Sequence, residues 1–387
     1  MKRFNKNEWR KVRIEEVFKK VISGEWGEEN IEDSENTVYI IRTTNFKNDG
    51  SIDIKEKEVI KRKIEKNKII DKKLEEKDII IEKSGGSPNQ PVGRVVYFNL
   101  KADKEFLCNN FTSILRTKDE IESKYIYYFL QKCYKERKVL KFQNKTTGII
   151  NLKLQDYLRN TQVYLPSLDE QKRIVKIMDK VFSIIKFQQE KLLKLEKLSK
   201  CLFFEMVKNS RKVLLAEVAE INMGQSPDSL FYNSEKKGIP FFQGKTEFGE
   251  NYIKEIKYYC SSPIKIAEEN SILMSVRAPV GTVNITDVKC CIGRGLASIK
   301  NKNIDMLYLF YALKNIEKEI EKKGVGSTFK AITKKVIEKI EIPVVSLEEQ
   351  NKFAERIKLI EKSKFEIQQS IDETQKLYDS LMEKYFG

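Results

Sequence analysis

The sequence contains no histidine, the side chain that most often exchanges protons near neutral pH. A Ser-His-Asp triad and a zinc site with imidazole ligands are therefore both excluded. The six cysteines also lack metal-binding spacing, because Cys290 and Cys291 are adjacent and the others are scattered along the chain. We expect free, buried thiols of the kind found in a reducing cytosol.

Long apolar stretches are missing as well. No run of about eighteen apolar residues occurs, which is the length that a membrane-spanning helix needs. The first residues, MKRFNKNEWRKV, are charged and lack the apolar segment of a secretory signal. The sequence therefore predicts a soluble, cytoplasmic protein with no membrane partner.

Positive charge is what the chain has in excess. Of 387 residues, 73 are Lys or Arg and 57 are Asp or Glu, so the formal net charge is +16. A chain of this length exceeds one ordinary hydrophobic core and suits two domains with connecting elements. The positive excess favours a polyanionic partner, with nucleic acid as the first candidate.

Two long helices are predicted, one near the middle of the chain and one at its end. Apolar residues recur there in alternating steps of four and three, which is the heptad pattern of a coiled coil. The two seams therefore predict that the helices pair with each other. The seam of the first helix contains Ile174, Met178, Val181, Ile185, Leu192, Leu195 and Leu202. The seam of the second helix contains Phe353, Ile357, Ile360, Ile367, Ile371, Tyr378 and Leu381.

Both helices begin in the same way. Pro166 precedes Leu-Asp-Glu-Gln in the first helix, and Pro343 precedes Leu-Glu-Glu-Gln in the second. Proline cannot extend a helix backwards, and acidic residues stabilise the positively polarised first turn. The chemistry of these residues therefore fixes where each helix starts.

The segments before the two helices resemble each other, and the similar stretches come in the same order. They predict a strand with a glycine turn, a buried strand, a Pro-Val-Gly turn into another strand, and a short helix. Collinear pairs of this kind imply an internal duplication. The pairs are residues 11–17 and 212–218, 78–81 and 271–274, 91–95 and 279–283, and 124–130 and 306–313.

Together these patterns predict an α/β (α+β) protein with a pseudo-twofold internal repeat. Two similar mixed α/β domains would be separated by an antiparallel two-helix coiled coil. The helices should be antiparallel because a compact domain joins the end of the first to the start of the second. Such a domain cannot carry the chain back along roughly 58 Å of helix. The alternative is that each helix packs on its own domain or on another protein. The predicted segments are residues 1–164, 165–208, 209–341 and 342–387, in the order domain, helix, domain, helix.

The two Pro-x(1 to 3)-Leu-[Asp/Glu]-Glu-Gln helices, each following a mixed α/β domain, resemble a specificity subunit of a type I restriction-modification system. The resemblance covers essentially the whole chain. It implies that both domains are target recognition domains, each of which reads one half of a bipartite double-stranded DNA site. It also implies modification (methyltransferase) subunits, two in number, and restriction subunits as partners. The segments that lead into the two helices differ in length, Pro-Ser-Leu before the first and Pro-Val-Val-Ser-Leu before the second. The two helix starts therefore need not bind partner subunits equally.

The same resemblance implies a chain without catalysis of its own. S-adenosylmethionine, ATP and Mg would be bound by the partner subunits, and neither a cofactor nor a metal is expected here. Residues 238–246, GIPFFQGKT, are similar to a Walker A loop, but five residues instead of four separate the glycines. A strand followed by a turn is the better interpretation of this stretch. No methyltransferase motif for adenine or for S-adenosylmethionine occurs.

Candidate DNA contacts are loop residues that place a cation, an amide or a hydroxyl near glycine. Arg, Asn and Gln can bond base edges in pairs, whereas Lys mostly contacts phosphate. A single residue of this kind is more often a solvated loop residue than a base reader, and it is the recurrence at equivalent turns that supports the set. In the first domain the candidates are Arg42, Thr43, Asn45, Lys83, Ser84, Ser87, Asn89, Gln90, Arg94, Lys145 and Thr146. In the second domain they are Gln225, Gln243, Lys245, Arg277, Arg294, Ser327 and Lys330.

Two other functions fit parts of the pattern. A stand-alone nuclease or methyltransferase is disfavoured by the missing histidine and the missing catalytic motifs. An adaptor that bridges DNA without sequence preference would bind through salt-dependent electrostatics alone. Competition between cognate and random duplexes at fixed salt separates this adaptor from a sequence reader.

Overall fold

The computed structural model describes residues 8–29, 37–54, 59–87, 89–100, 104–146, 149–324 and 331–387. The chain divides into two compact units. Unit 1 comprises Met1–Phe187 and Asp372–Gly387, and unit 2 comprises Gln188–Ile371. Each long helix thus contributes residues to both units, and the division into four segments stays a prediction.

In unit 1 the strands are β1 (Arg10–Arg13), β2 (Phe18–Ser23), β3 (Glu28–Glu29), β4 (Thr37–Ile41), β5 (Ile60–Lys63), β6 (Ile79–Glu82), β7 (Ser84–Gly85), β8 (Val95–Tyr97), β9 (Phe106–Cys108), β10 (Thr112–Thr117), β11 (Gln143–Thr146), β12 (Ile149–Leu152) and β13 (Gln162–Leu165). Its short helices are α1 (Lys66–Lys72), α2 (Ser123–Lys135) and α3 (Leu154–Asn160). The first long helix, α4 (Leu168–Val207), starts in unit 1 and continues into unit 2.

In unit 2 the strands are β14 (Arg211–Leu214), β15 (Ala219–Met223), β16 (Tyr232–Asn233), β17 (Ile239–Phe242), β18 (Tyr258–Cys260), β19 (Ile266–Ala267), β20 (Ser271–Ser275), β21 (Val283–Thr286), β22 (Cys290–Ile292), β23 (Leu296–Asn301) and β24 (Glu341–Val344). Its short helices are α5 (Leu215–Val218), α6 (Met306–Asn315), α7 (Glu317–Lys322) and α8 (Lys334–Glu338). The second long helix, α9 (Leu347–Phe386), starts in unit 2 and ends in unit 1.

The two units repeat the same sheet topology, which confirms the predicted internal repeat. A sheet of order β2-β10-β6-β8 in unit 1 matches β15-β23-β20-β21 in unit 2, and the pair β1-β13 matches β14-β24. A further sheet, β3-β5-β4-β9, matches β16-β18-β17-β22 within the larger sheet β16-β18-β17-β22-β19. In both sheets the last matching pair is parallel, with Ile40 opposite Leu107 and Phe241 opposite Cys291.

The buried strands that the sequence predicts are central strands of these sheets. All residues of β6 and of β20 are buried, and each strand is hydrogen-bonded to a neighbour on both sides. Such strands are apolar on both faces, which explains why short continuous apolar runs marked them in the sequence. The stretch that resembles a Walker A loop is likewise strand β17 followed by a turn, as predicted.

The starts of both long helices are closed by a serine and a glutamate three residues later. Before α9, the Ser346 amide donates to Glu349 Oε2 at 3.1 Å, and the Glu349 amide donates to Ser346 Oγ at 3.3 Å. These reciprocal bonds form a capping box. The Ser346 hydroxyl also donates to Glu349 Oε2 at 2.7 Å, and this bond, together with that from the Ser346 amide, holds the pKa of Glu349 below its usual value. Before α4, the Glu170 amide donates to Ser167 Oγ at 3.4 Å. The repeated helix motif is therefore a cap as well as an acidic first turn.

In unit 2 the long helices run antiparallel, as the sequence predicts. Gln188 Nε2 donates to Ser370 Oγ at 2.6 Å, and the rings of Phe203 and Phe353 lie 5.7 Å apart. The residue numbers therefore rise along α4 while they fall along α9. Phe203 also lies 5.7 Å from the ring of Tyr308 in α6, so the helices pack on the domain as well as on each other.

The predicted seam residues are buried or half-buried throughout. Phe203, Ala354, Met382 and Phe386 lie outside the heptad seams and are buried too. For Phe203 the reason is packing on α6, and for Phe386 it is packing on Tyr125 of α2, with ring centroids 4.9 Å apart. The buried seam residues are Ile174, Met178, Val181, Ile185, Phe353, Ile357, Ile360, Ile371 and Tyr378. The half-buried ones are Leu192, Leu195, Leu202, Ile367 and Leu381.

Candidate nucleic-acid interface

Five exposed cations and amides of unit 2 lie at the ends of strands on interlocked turns. The Arg294 amide donates to Ser226 Oγ at 3.2 Å, next to Gln225. The Gly293 amide donates to the Phe242 carbonyl at 2.8 Å, which places the turn beside Gln243. The Val276 amide donates to the Gly295 carbonyl at 2.9 Å, immediately before Arg277. We call the set surface 2; it consists of Gln225, Gln243, Lys245, Arg277 and Arg294, all of them exposed.

Glycine is required where these turns meet. A Cβ added to Gly224 would lie 2.2 Å from the carbonyl oxygen of Gly293, and one added to Gly24 in unit 1 would lie 2.0 Å from that of Asn109. Non-bonded atoms do not approach a Cβ this closely, so neither position accepts another residue without a backbone shift. The same close approach in both units shows that the two turns are equivalent and explains the glycine turns seen in the sequence.

The equivalent turns of unit 1 present a different set of side chains. The Asn109 amide donates to the Ile41 carbonyl at 3.0 Å, next to Arg42, and the Lys83 amide donates to the Phe111 carbonyl at 2.8 Å. The turn at residues 109–111 thus takes the place of Gly-Arg-Gly in unit 2. We call the corresponding set surface 1; it consists of Arg42, Thr43, Lys83, Ser84 and Asn110.

Asn110 was not a candidate in the sequence, although it is exposed at the position equivalent to Arg294. The turn lacks glycine, which was the residue used to recognise candidate loops. The position of Asn110 in the repeat could have identified it. Asn110 lies in the turn between β9 and β10, and this turn corresponds to the Gly-Arg-Gly turn between β22 and β23. The position of a turn within the repeated fold therefore adds Asn110 to the candidates that glycine content identifies.

Asn45 and Arg94 are bound inside unit 1. Asn45 is fully buried, its Oδ1 accepts from the Arg42 amide at 3.0 Å, and its Nδ2 donates to the Asp53 carbonyl at 3.0 Å. Arg94 donates from Nε and Nη2 to the buried carboxylate of Glu82 at 2.9 and 3.0 Å. Asn45 is thus enclosed by the protein, and Arg94 is mostly buried and fixed to a buried carboxylate, so neither is included in surface 1.

The remaining candidates of unit 1 have mixed surroundings. Lys83 bonds Ser23, and burial lowers the pKa of its ammonium group. Ser84 bonds the side chain of Asn151. Ser87 and Gln90 bridge each other through their backbones, with Asn89 exposed at the tip between them. The side chains of Lys145 and Thr146, and the whole of Ser327 and Lys330, lie outside the described residues.

No metal-binding cluster accompanies these surfaces in the part of the chain that the structure describes. No group of three or more His, Cys, Asp or Glu residues there could hold a metal ion. Burial raises the pKa of the Cys108 thiol to about 11 and that of Cys290 to about 12, which keeps both thiols protonated and poorly nucleophilic. Among the described residues, no helix combines the length and hydropathy needed to cross a bilayer.

Comparison with known proteins gives the context for these surfaces. A protein from Methanocaldococcus jannaschii, provisionally named type I restriction enzyme MjaX specificity subunit, is 39% identical over 295 residues, which are 70% of this chain and 68% of that protein. The type I restriction enzyme MjaVIII specificity subunit of the same organism is 27% identical over 299 residues, 67% of this chain and 68% of the relative.

Solved structures share the fold over the full length. A chain described under "Structural basis underlying complex assembly and conformational transition of the type I R-M system" is 25% identical, with a TM-score of 0.57 and coverage of 98% of this chain and 97% of that one. The S subunit of a type I restriction-modification system from M. genitalium is 18% identical, with a TM-score of 0.63 and coverage of 100% and 98%.

The family model described as type I restriction modification DNA specificity domain matches the chain twice, at residues 6–197 and 208–375. The two matches coincide with the two copies of the repeated fold. The chain therefore belongs to the type I restriction modification DNA specificity domain family.

Proposed function

We propose that this chain recognises a bipartite, asymmetric DNA sequence, with surface 1 reading one half and surface 2 the other. Membership in the family makes DNA and other restriction-modification subunits its partners. The observation that carries the proposal is the pair of equivalent strand-end turns, which present different side chains on the same framework. Because the two units share one backbone framework, we expect both to read DNA in the same manner. Because surfaces 1 and 2 carry different side chains, we expect the two half sites to be unrelated in sequence.

The chemistry of surface 2 suits base reading. Arg277 and Arg294 can each donate two parallel hydrogen bonds to guanine, and Gln225 and Gln243 can pair in the same way with adenine. Lys245 carries a mobile point charge better suited to phosphate. Surface 1 has two cations, Arg42 and Lys83, where surface 2 has three, since Arg94 is bound to Glu82. We expect unit 1 to depend more on amides, hydroxyls and the shape of the groove.

We also infer that two modification subunits bind the chain, one for each copy of the repeated fold, and that restriction subunits join this complex. Two family matches and two capped helix starts support this number, because a duplicated docking surface calls for two copies of a partner. S-adenosylmethionine, ATP and Mg would then be bound by those partners. The mass of the complex purified with its modification subunit tests the number directly.

The test of recognition is a selection from randomised duplexes by the full-length chain in complex with its modification subunits. We expect a motif of two unrelated halves separated by a spacer of fixed length. Replacing residues 209–341 by the same segment of a relative should then change one half and leave the other. A continuous or palindromic motif contradicts the proposal, and enrichment of no sequence at all identifies an adaptor without sequence preference.

A further inference from the structure

One loop in each unit connects the candidate interface to a long helix. In unit 1, residues 42–53 start at Arg42 and Thr43 of surface 1, and Asp49 at the tip forms an ion pair with Lys186 of α4 at 2.9 Å. In unit 2, residues 243–254 start at Gln243 of surface 2, and Glu250 forms an ion pair with Lys364 of α9. We call these segments tethered loop 1 and tethered loop 2.

Tethered loop 1 is braced along its length. Phe46 and Ile52 face each other in an antiparallel bridge, and the Lys47 amide donates to the Ser51 carbonyl at 2.9 Å. At the tip, Tyr127 Oη of α2 donates to the Gly50 carbonyl at 3.1 Å. A Cβ on Gly50 would lie 2.0 Å from Tyr127 Oη, so the tip is pressed against α2. The loop is therefore held both at its tip and along its length.

Tethered loop 2 is built in the same way with other residues. Phe248 and Ile253 form the antiparallel bridge, and the Lys254 amide donates to the Glu247 carbonyl at 2.8 Å. At the tip, Asn251 Nδ2 donates to Glu361 Oε2 of α9 at 2.8 Å. Lys314 of α6 donates to the Glu250 carbonyl at 3.1 Å. This tip also lies against a short helix and a long helix of its own unit.

We propose that Lys186 and Lys364 are positioning residues: through Asp49 and Glu250 they hold the tethered loops on the long helices and so set where Thr43 and Lys245 meet DNA. The proposal rests on the proposed function. Ion pairs at partly exposed positions, such as that of Lys186 with Asp49, contribute little to the stability of a fold. Their recurrence at the tips of equivalent loops, with different partners around them, fits a positioning role better than a contribution to stability.

Selection from randomised duplexes, with the full-length chain in complex with its modification subunits, tests the role of these lysines. We expect Lys186→Glu and Lys364→Glu each to lower base discrimination in one half site, and in opposite halves. The loss should be about fivefold or more at the affected positions, within the range of a mismatched base pair. Lys186→Arg should retain both halves. The exchange of charges in Glu250→Lys with Lys364→Glu should restore the half that Lys364→Glu loses.

Lys180→Glu in α4 and Lys362→Glu in α9 are the matched controls, because both lysines are exposed on the same helices and the charge change is identical. Thermal unfolding checks that each variant is folded, and if Lys364→Glu is not, Lys364→Met replaces it with the same expected result. A wild-type complex that enriches no bipartite motif refutes the proposed function itself. Three results would show that the positioning role is wrong while the wild type still reads its motif. The variants could discriminate bases as well as their controls do, they could lose discrimination in both half sites, or the charge exchange could fail to restore the lost half site.

Discussion

At the scale of single residues, Arg294 is the most direct probe of base reading. It is exposed on a turn whose flanking glycines approach Gln243 closely, so its backbone has little room to move. Loss of a bidentate contact to guanine costs about 1–3 kcal/mol of binding and relaxes the base preference at that position. Arg294→Ala should therefore lose preference at one position of one half site.

Arg211→Ala is the control for this prediction. Arg211 is exposed on β14 of the same unit, and its substitution removes the same positive charge. Affinities for the cognate duplex and for duplexes with single base changes, measured at one salt concentration, separate the two effects. A uniform loss across all duplexes in Arg294→Ala would assign the residue to phosphate and not to a base.

Glu247 in unit 2 and Asn45 in unit 1 are different buried polar residues at equivalent positions of the repeat. The carboxylate of Glu247 is buried at the place where unit 1 has Asn45, and its Oε2 has no hydrogen-bond partner. Burial raises the pKa of this carboxyl above its usual value. An acid with a raised pKa in the folded state destabilises the fold at higher pH, and this cost disappears as the pH falls through that pKa.

Glu247→Gln removes the buried charge and should therefore stabilise unit 2 at pH 7, by about 0.5–1 kcal/mol, the low end of single-substitution effects. At about pH 3, where the carboxyl is protonated in both states, the advantage should vanish. Thermal unfolding of Glu247→Gln at both pH values, beside the exposed Glu269→Gln, measures it. A lower melting temperature for Glu247→Gln at pH 7 would show that the carboxylate holds a partner.

At the scale of elements, Gln171 and Gln350 attach the long helices to their domains. Gln171 Oε1 accepts from the Glu122 amide at the start of α2 at 3.0 Å, and its Nε2 donates to the Pro166 carbonyl at 2.9 Å. Gln350 makes the same pair of bonds with the Asp305 amide at 2.8 Å and the Val345 carbonyl at 2.9 Å. Both glutamines are 2% exposed, so these bonds are shielded from water.

Truncating either glutamine leaves a buried amide and a buried carbonyl unpaired, which should cost about 2–3 kcal/mol. Trp9 and Trp26 are the only tryptophans and both belong to unit 1. Gln171→Ala should therefore lower the denaturant midpoint seen by tryptophan fluorescence, whereas Gln350→Ala should lower a transition seen by circular dichroism. The exposed Gln189→Ala and Gln369→Ala are the controls. If Gln171→Ala unfolds with the midpoint of Gln189→Ala, the bonds contribute nothing.

These elements show which parts of the fold were predictable. Helices α4 and α9 were predictable because their buried seams impose a period on the sequence, and strands β6 and β20 because burial on both faces gives short continuous apolar runs. The glutamines of the helix motif were read only as part of a helix start, because a hydrogen bond to a residue some fifty positions away leaves no period. Arg94 was predicted as a DNA contact from its loop, and only the fold shows that its guanidinium group donates to Glu82.

Candidate interface residues were predictable only in part for a related reason. Gln243 and Arg294 were found because glycines mark the turns that carry them. Asn110 was missed and Asn45 was included because the chemistry of a side chain does not show whether it faces solvent. Position within the repeated fold separates the two cases, and that position requires the strand register of both units.

At the scale of the whole molecule, α4 and α9 are continuous 40-residue helices that contribute residues to both units, and we expect them to set the distance between the two readers. A heptad added after Gln188 and another after Ile367 would keep the apolar seams in register. It would lengthen both helices by about 10.5 Å, equivalent to roughly three base pairs of DNA. An insertion in one helix alone should misalign the seams and destabilise the protein.

The double insertion also changes the phase of the two half sites, since DNA turns by roughly 100° over three base pairs. A heptad of a coiled coil barely rotates, so length and phase conflict. We therefore expect weaker binding, with an optimum spacer longer by about two or three base pairs. Affinity across duplexes of graded spacer length measures this shift. An unchanged optimum in a folded double insertion would mean that contacts other than α4 and α9 set the spacing, with the partner subunits as the next elements to test.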